Sequence, residues 1–208
     1  ANAAAHYSSP APDGSRPGVF WVPLPGAPWR MISRRSLAYH EAIPGHHFQL
    51  ALQVEMEGLP KWWASRVFGG NSAYSEGWGL YAEWLANDEG WFEGDSIGKL
   101  GFLSSELLRA KRLVVDTGIH AFKWTRQDVI DYGISVSETE RYVVYPGQAC
   151  SYKVGQLRLV ALRRDAEKRL GAKFSLPAFH NIVLRGAGAP LDLVGEEVET
   201  WINTTLAN

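Results

Sequence analysis

In the segment Tyr39-His40-Glu41-Ala42-Ile43-Pro44-Gly45-His46-His47, a proline and a glycine interrupt a stretch that otherwise patterns as helix. No other feature constrains the fold as much. Proline removes a helix hydrogen bond and glycine permits a sharp local bend, so one helix has to end here and another begin. The break also decides what the histidines can do, because three of the six in the chain lie in these nine residues. On an undistorted helix, position i+6 from His40 would point ~120° away and position i+7 would lie ~10 Å along the axis, and neither could share a metal with it.

In the common helical zinc motif two histidines stand at i and i+4, with a glutamate at i+1 as base. Here Glu41 occupies i+1 but Pro44 occupies i+4. Two residues inserted at the bend bring His46 to the place that i+4 normally takes, and three bring His47 there. The reading favours His46 and keeps His47 as the alternative. Zinc takes imidazole and carboxylate ligands and, in catalytic sites, three protein ligands with a fourth position left for water. Glu76, at the start of the helix predicted from residue 74, is the expected third ligand. Glu83 lies seven residues on and so on the same face, where it either supports the site or meets solvent. The bland alternative is that these histidines cap helices or sit on the surface, as a lone histidine usually does, and that Glu76 only favours its helix dipole. Three histidines in eight residues, with an adjoining glutamate and a Pro-Gly break, weigh towards a one-zinc hydrolase site.

The remainder of the chain reads as mainly α with a little β. Residues 1–17 are rich in Pro, Ser and Gly and are expected as an irregular lead-in to a single domain over 18–208. Val19-Phe20-Trp21-Val22, closed by Pro23, suits an edge strand. After the Pro-rich loop 23–28, helices are predicted at about 32–43, 46–57, 60–68, 74–88, 97–122, 126–133, 138–145, 147–170, 176–185 and 191–203. Thr125-x-x-Asp128 and Ser137-x-x-Glu140 read as capping boxes, and Pro177 suits a first turn. Gly58, Gly69-Gly70, Gly171 and Gly186-Ala-Gly-Ala-Pro190 read as stops.

Composition excludes several functions. The 21 basic and 22 acidic side chains leave no net field to draw nucleic acid. No apolar run approaches the ~18 residues a membrane span needs. Cys150 alone allows neither an internal disulfide nor a cysteine-rich zinc module, and it reads as a small buried residue.

Residues 40–47 match the pattern His-Glu-x-x-Pro-Gly-His-His. With Asp13–Gly18, Glu76–Glu83, Arg109–His120 and Tyr145–Lys153, they make the chain resemble a bacterial family long labelled domain of unknown function 885, grouped with zinc-dependent peptidases. The resemblance runs in order over nearly all of residues 7–202. It implies a zincin-like helical fold with a short β edge near the site, a zinc ion, a peptide substrate and metallopeptidase activity. Family members are typically longer, with a helical N-terminal part. A cleft wall missing here would expose an apolar patch and call for a partner, either a second copy or a separate N-terminal fragment.

Further site candidates follow. Arg109, Arg112, Asp116 and His120 recur at spacings of three and four and so form one polar stripe, on which Asp116 and His120 could pair and the arginines could hold a substrate carboxylate. A solvated face with ordinary ion pairs is the plain alternative. Tyr145 and Tyr152 flank a second Pro-Gly break and are candidates to stabilise a developing oxyanion. His6 carries no signal, and His180 is expected to be structural. The expected chemistry is peptide hydrolysis, with Glu41 as general base. A non-catalytic binding or scaffold domain built on the same fold, or a hydrolase of other amides or esters, are the competing readings.

Overall fold

The computed structural model describes residues 5–24, 32–64 and 70–208. Parts of the expected 23–28 loop, of the expected 60–68 helix and of the Gly69-Gly70 stop lie outside the described residues. Two strands, β1 (His6–Ser8) and β2 (Val19–Trp21), pair antiparallel with Tyr7 opposite Phe20. Helices follow as α1 (Arg34–Glu41), α2 (His46–Glu55), α3 (Lys61–Ala64), α4 (Ser72–Asp88), α5 (Ser96–Phe122), α6 (Arg126–Asp131), α7 (Val136–Val144), α8 (Gln148–Leu170), α9 (Leu176–Arg185) and α10 (Leu191–Ala207). A 3₁₀ turn at Gly171–Lys173 closes α8.

The mainly helical class expected from the sequence is what forms, with one small sheet. The lead-in corrects the expectation, because it is not wholly irregular. Its strand has no alternation of its own to read, and it exists because β2 offers a ladder of backbone partners thirteen or so residues away. The second capping box is also corrected. Ser135, not Ser137, caps α7 by accepting from the Glu138 amide, whereas Thr125 and Asp128 form the reciprocal box at α6 as read.

α4 is the central element. Tyr74, Trp78, Tyr81 and Leu85 on it are buried against Leu159, Ala166 and Leu170 of α8, Phe179 and Val183 of α9, and Val194, Val198 and Ile202 of α10. Each large apolar side chain so buried contributes roughly 1.5–3 kcal/mol before conformational entropy is subtracted. The α4–α8 contact is close because glycines meet: a Cβ on Gly77 would come within 2.5 Å of the Gly155 Cα, and one on Gly155 within 1.9 Å of the Ala73 carbonyl oxygen. A second cluster, of Val115, Val129, Ile134, Tyr142 and Ala149, ties α5 to α6, α7 and the start of α8. α4 thus stands fixed on one side, and α1 and α2 pack against it. Among the described residues no helix is long and apolar enough to cross a membrane.

Candidate metal centre and cleft

The break predicted at Pro44-Gly45 separates α1 from α2 and turns both inward-facing ends onto α4. The carbonyl of Pro44 is taken by the indole N–H of Trp78, which donates to it at 2.8 Å and so fastens the bend to α4. Only glycine fits at 45, because a Cβ there would come within 1.8 Å of the His40 carbonyl oxygen. Gly79 plays the same part from below: its missing Cβ leaves the space that the His40 imidazole occupies.

These contacts bring His40, the last-turn histidine of α1, against His46, the first residue of α2, with ring centroids 4.7 Å apart and planes at 83°. Glu76 of α4 completes the group. Its Oε2 is 3.4 Å from His40 Nε2 and 3.3 Å from His46 Nε2, and one ligand atom from each of the three residues falls within 4.8 Å of the others. Tetrahedral zinc ligands at 2.0–2.2 Å from the metal stand about 3.3–3.6 Å from one another. The donor set therefore fits a zinc ion in both spacing and chemistry. His47 is not part of it: its Nδ1 lies 3.0 Å from the Tyr7 hydroxyl, and the two rings meet edge-on, so it fastens β1 to α2. The bend thus brings His46, and not His47, beside His40 and Glu76.

Glu83, left open by the sequence, faces no solvent. It is 2% exposed and holds His40 Nδ1 at 2.8 Å, while Ser36 and Ser105 donate to its other oxygen. A carboxylate on Nδ1 fixes the tautomer and aims Nε2 at the Glu76 side, the arrangement that metal-ligating histidines generally need. Burial opposes the charged ring, yet the hydrogen bonds to Glu76 and Glu83 outweigh it, and without metal His40 is pushed up to about 9. Burial would likewise raise Glu76, but its bonds to both histidines win and hold it far below the usual carboxylate range. Glu41 behaves differently. It is 7% exposed, lines the same cleft, and burial raises its carboxyl in spite of the two neighbouring histidines.

The cleft has a volume of about 740 Å³. β1 contributes His6 and Tyr7 to one wall, and Arg109, Arg112, Arg141 and Tyr152 contribute to another. The Tyr152 ring stacks near His40 at 6.4 Å, with the Arg112 guanidinium 4.6 Å over its centroid and that of Arg109 at 6.0 Å. Burial and the nearby Glu76 charge raise the Tyr152 hydroxyl, so it stays a donor.

The polar stripe on α5 divides. Arg109 and Arg112 face the cleft, but Asp116 accepts from the Gly147 amide and exposed His120 contacts the Tyr142 carbonyl at 3.0 Å. Asp116 and His120 do not pair, because Asp116 takes the Gly147 amide at the α7–α8 turn and His120 the Tyr142 carbonyl within α7. Tyr145 is 59% exposed at the end of α7 and does not line the cleft. Cys150 is half-buried, and burial followed by the Asp116 charge pushes its thiol up to about 11. His180 accepts or donates at 2.8 Å with the Tyr81 hydroxyl, consistent with a structural role. Tyr7 and Glu138 were not foreseen. Neither stands in a local pattern that could have pointed to a site, since both reach the cleft only through tertiary packing.

A family described as "Bacterial protein of unknown function (DUF885)" matches residues 1–198. Among the solved structures that are similar are the following two. One is of a candidate lipoprotein from Colwellia psychrerythraea, with 42% identity, a TM-score of 0.87, and coverage of 96% of this chain and 35% of that one. The other is of a candidate lipoprotein of unknown function from Shewanella oneidensis, with 26% identity, a TM-score of 0.78, and coverage of 92% and 38%. This chain therefore spans little more than a third of either. Among curated proteins none matches.

Proposed function

The chain belongs to the bacterial family DUF885, and from that membership together with the His40–His46–Glu76 group we propose that it carries the metal centre of a zinc-dependent peptidase. The observation that carries the reading is the division of labour among five acids and bases. His40, His46 and Glu76 converge at ligand spacing, Glu83 orients His40 from behind, and Glu41 stands beside them with no ligand role. A purely structural zinc site needs no such fifth group. A one-zinc site of two histidines and a glutamate, with a glutamate base adjacent, also suits a zincin-like assignment.

When bound, zinc would polarise the scissile carbonyl and acidify a water. The chain's own residues supply the remaining chemistry. Glu41, with its carboxyl raised by burial, accepts the proton of the attacking water and returns it to the leaving amine. Tyr152, held protonated beside His40, donates to the oxygen on which negative charge develops. β1 lies along the cleft wall, where an extended peptide could be held beside a strand.

The test is an assay of the purified chain on a mixed peptide library with and without chelator, alongside Glu41→Gln. The reading expects cleavage that chelation abolishes and zinc restores, and a Glu41→Gln variant that keeps its metal while turnover falls by about 10²–10⁴-fold. Zinc-loaded chain that leaves peptides intact but cleaves esters or other amides would replace peptidase by a different hydrolase. Full zinc occupancy with no turnover of any of these would favour a binding or scaffold domain.

A further inference from the structure

One wall of the cleft is built from guanidinium groups that the described residues do not fully satisfy. Arg112 is the most confined, its side chain only 8% exposed. Its Nε donates to the Tyr142 hydroxyl at 2.9 Å and its Nη2 to Glu138 at 2.8 Å, but its buried Nη1 has no acceptor among the described residues. Arg109 donates from Nη1 to Ser105, and its buried Nε also lacks an acceptor among the described residues. Arg141 joins them, bound to Glu138 and, at 2.6 Å, to Gln148. Among the described residues Glu138 is the carboxylate that pairs with Arg112 and Arg141, and burial notwithstanding, its arginine and tyrosine partners hold it ionised, so one carboxylate is shared between two of the three cations.

Buried donors without acceptors are costly to keep, and native proteins keep few of them. Two on adjacent turns of α5, both on a cleft wall, point to an acceptor that arrives with the ligand. The ligand has to be anionic, and a planar carboxylate matches a guanidinium fork better than a point charge does. Its position is also set. Tyr152 stands between the histidines and the arginines, with His40 stacked near one side and Arg112 over its ring. One or two peptide residues, at ~3.3–3.6 Å each, are enough to run from a carbonyl at the histidine end to a carboxylate beside Tyr152 and the arginines.

We propose that Arg109 and Arg112 receive the free C-terminal carboxylate of a peptide, so that the site acts one or two residues from a C-terminus, as a carboxypeptidase. This rests on the peptidase reading of the same cleft, and it is tested by binding as well as by cleavage.

The experiment compares three peptides that differ only at the C-terminal residue or its end group, by calorimetric titration on the chelator-treated chain and by product analysis on the zinc-loaded chain. One has a free C-terminal carboxylate, one is its C-terminal amide, and one is an amide whose last side chain is glutamate. The proposal expects the free acid to bind at least tenfold more tightly than either amide, and to lose one or two C-terminal residues where cleavage is observed. Arg112→Met and, separately, Arg109→Met should erase that preference and leave zinc uptake intact. Equal binding of acid and amide by the unaltered chain would overturn the proposal without any variant. So would equal binding of the glutamate-bearing amide, which would assign the arginines to a side-chain carboxylate instead. A clear acid preference with no cleavage at all would uphold the carboxylate site and count only against the peptidase reading.

Discussion

At the scale of single residues, the site depends on which atom of His40 is free. Glu83 takes Nδ1 at 2.8 Å, and Ser36 and Ser105 occupy its second oxygen, so the ring cannot turn without breaking a buried network. Glu83→Gln should therefore lower zinc affinity by about 10–100-fold with all three ligands intact, as loss of an orienting partner typically does. Competition with a fluorescent chelator would measure this, and unchanged affinity would mean that Glu83 does not orient the ring. Tyr152→Phe tests the other side of the cleft. If its hydroxyl meets the oxyanion, kcat should fall by about 10²–10³-fold with zinc occupancy unaltered; a change in KM alone would limit Tyr152 to binding. The sequence made His40, Glu41, His46 and Glu76 legible because their chemistry is packed into short, oddly spaced motifs. It could not choose firmly between His46 and His47, because the choice depends on how tightly the bend closes. That is set by Gly45 against the His40 carbonyl and by Trp78 Nε1 on the Pro44 carbonyl, both contacts made in three dimensions.

At the scale of elements, the α4–α8 glycine contact and the α4–α9 seam hold the ligand helix in place. Gly155→Ala would drive a methyl group into the Ala73 carbonyl, and the forced shift should cost about 1–3 kcal/mol in stability, read as a lower midpoint in urea unfolding. An unchanged midpoint would show that α8 can slide without penalty. Across the other seam, burial first and then the charge of Arg163 push His180 down to about 4 from an ordinary value near 6.5. The unfolded chain thus binds a proton at pH 4–6.5 that the folded chain refuses. Stability from this residue is complete above pH 6.5 and lost as pH falls towards 4, a difference of roughly 1–3 kcal/mol. His180→Gln should flatten the unfolding midpoint over that window relative to the unaltered chain, and parallel profiles would refute the assignment. Helix positions were largely legible, because capping residues and glycine stops act locally: Thr125 caps α6 and Pro177 opens α9 as read. The α7 cap was misplaced by two residues because Ser135 and Ser137 each have an acid three positions on, and only packing of Thr139 and Tyr142 into the core decides the register. β1 was not legible, since three residues without alternation become a strand only through a partner.

At the scale of the whole molecule, one cleft is lined both by the His40–His46–Glu76 group, which could hold a metal, and by Arg109, Arg112 and Arg141, which no local pattern could have shown. The central claim is nonetheless the metal. Elemental analysis and zinc titration of the metal-free chain, run in parallel on His46→Ala and His47→Ala, test it most directly. The account predicts one zinc per chain, released protons on binding, loss of that zinc in His46→Ala and its retention in His47→Ala. A chain that takes up no zinc when supplied with it, or one in which His47→Ala and not His46→Ala loses the ion, would contradict it.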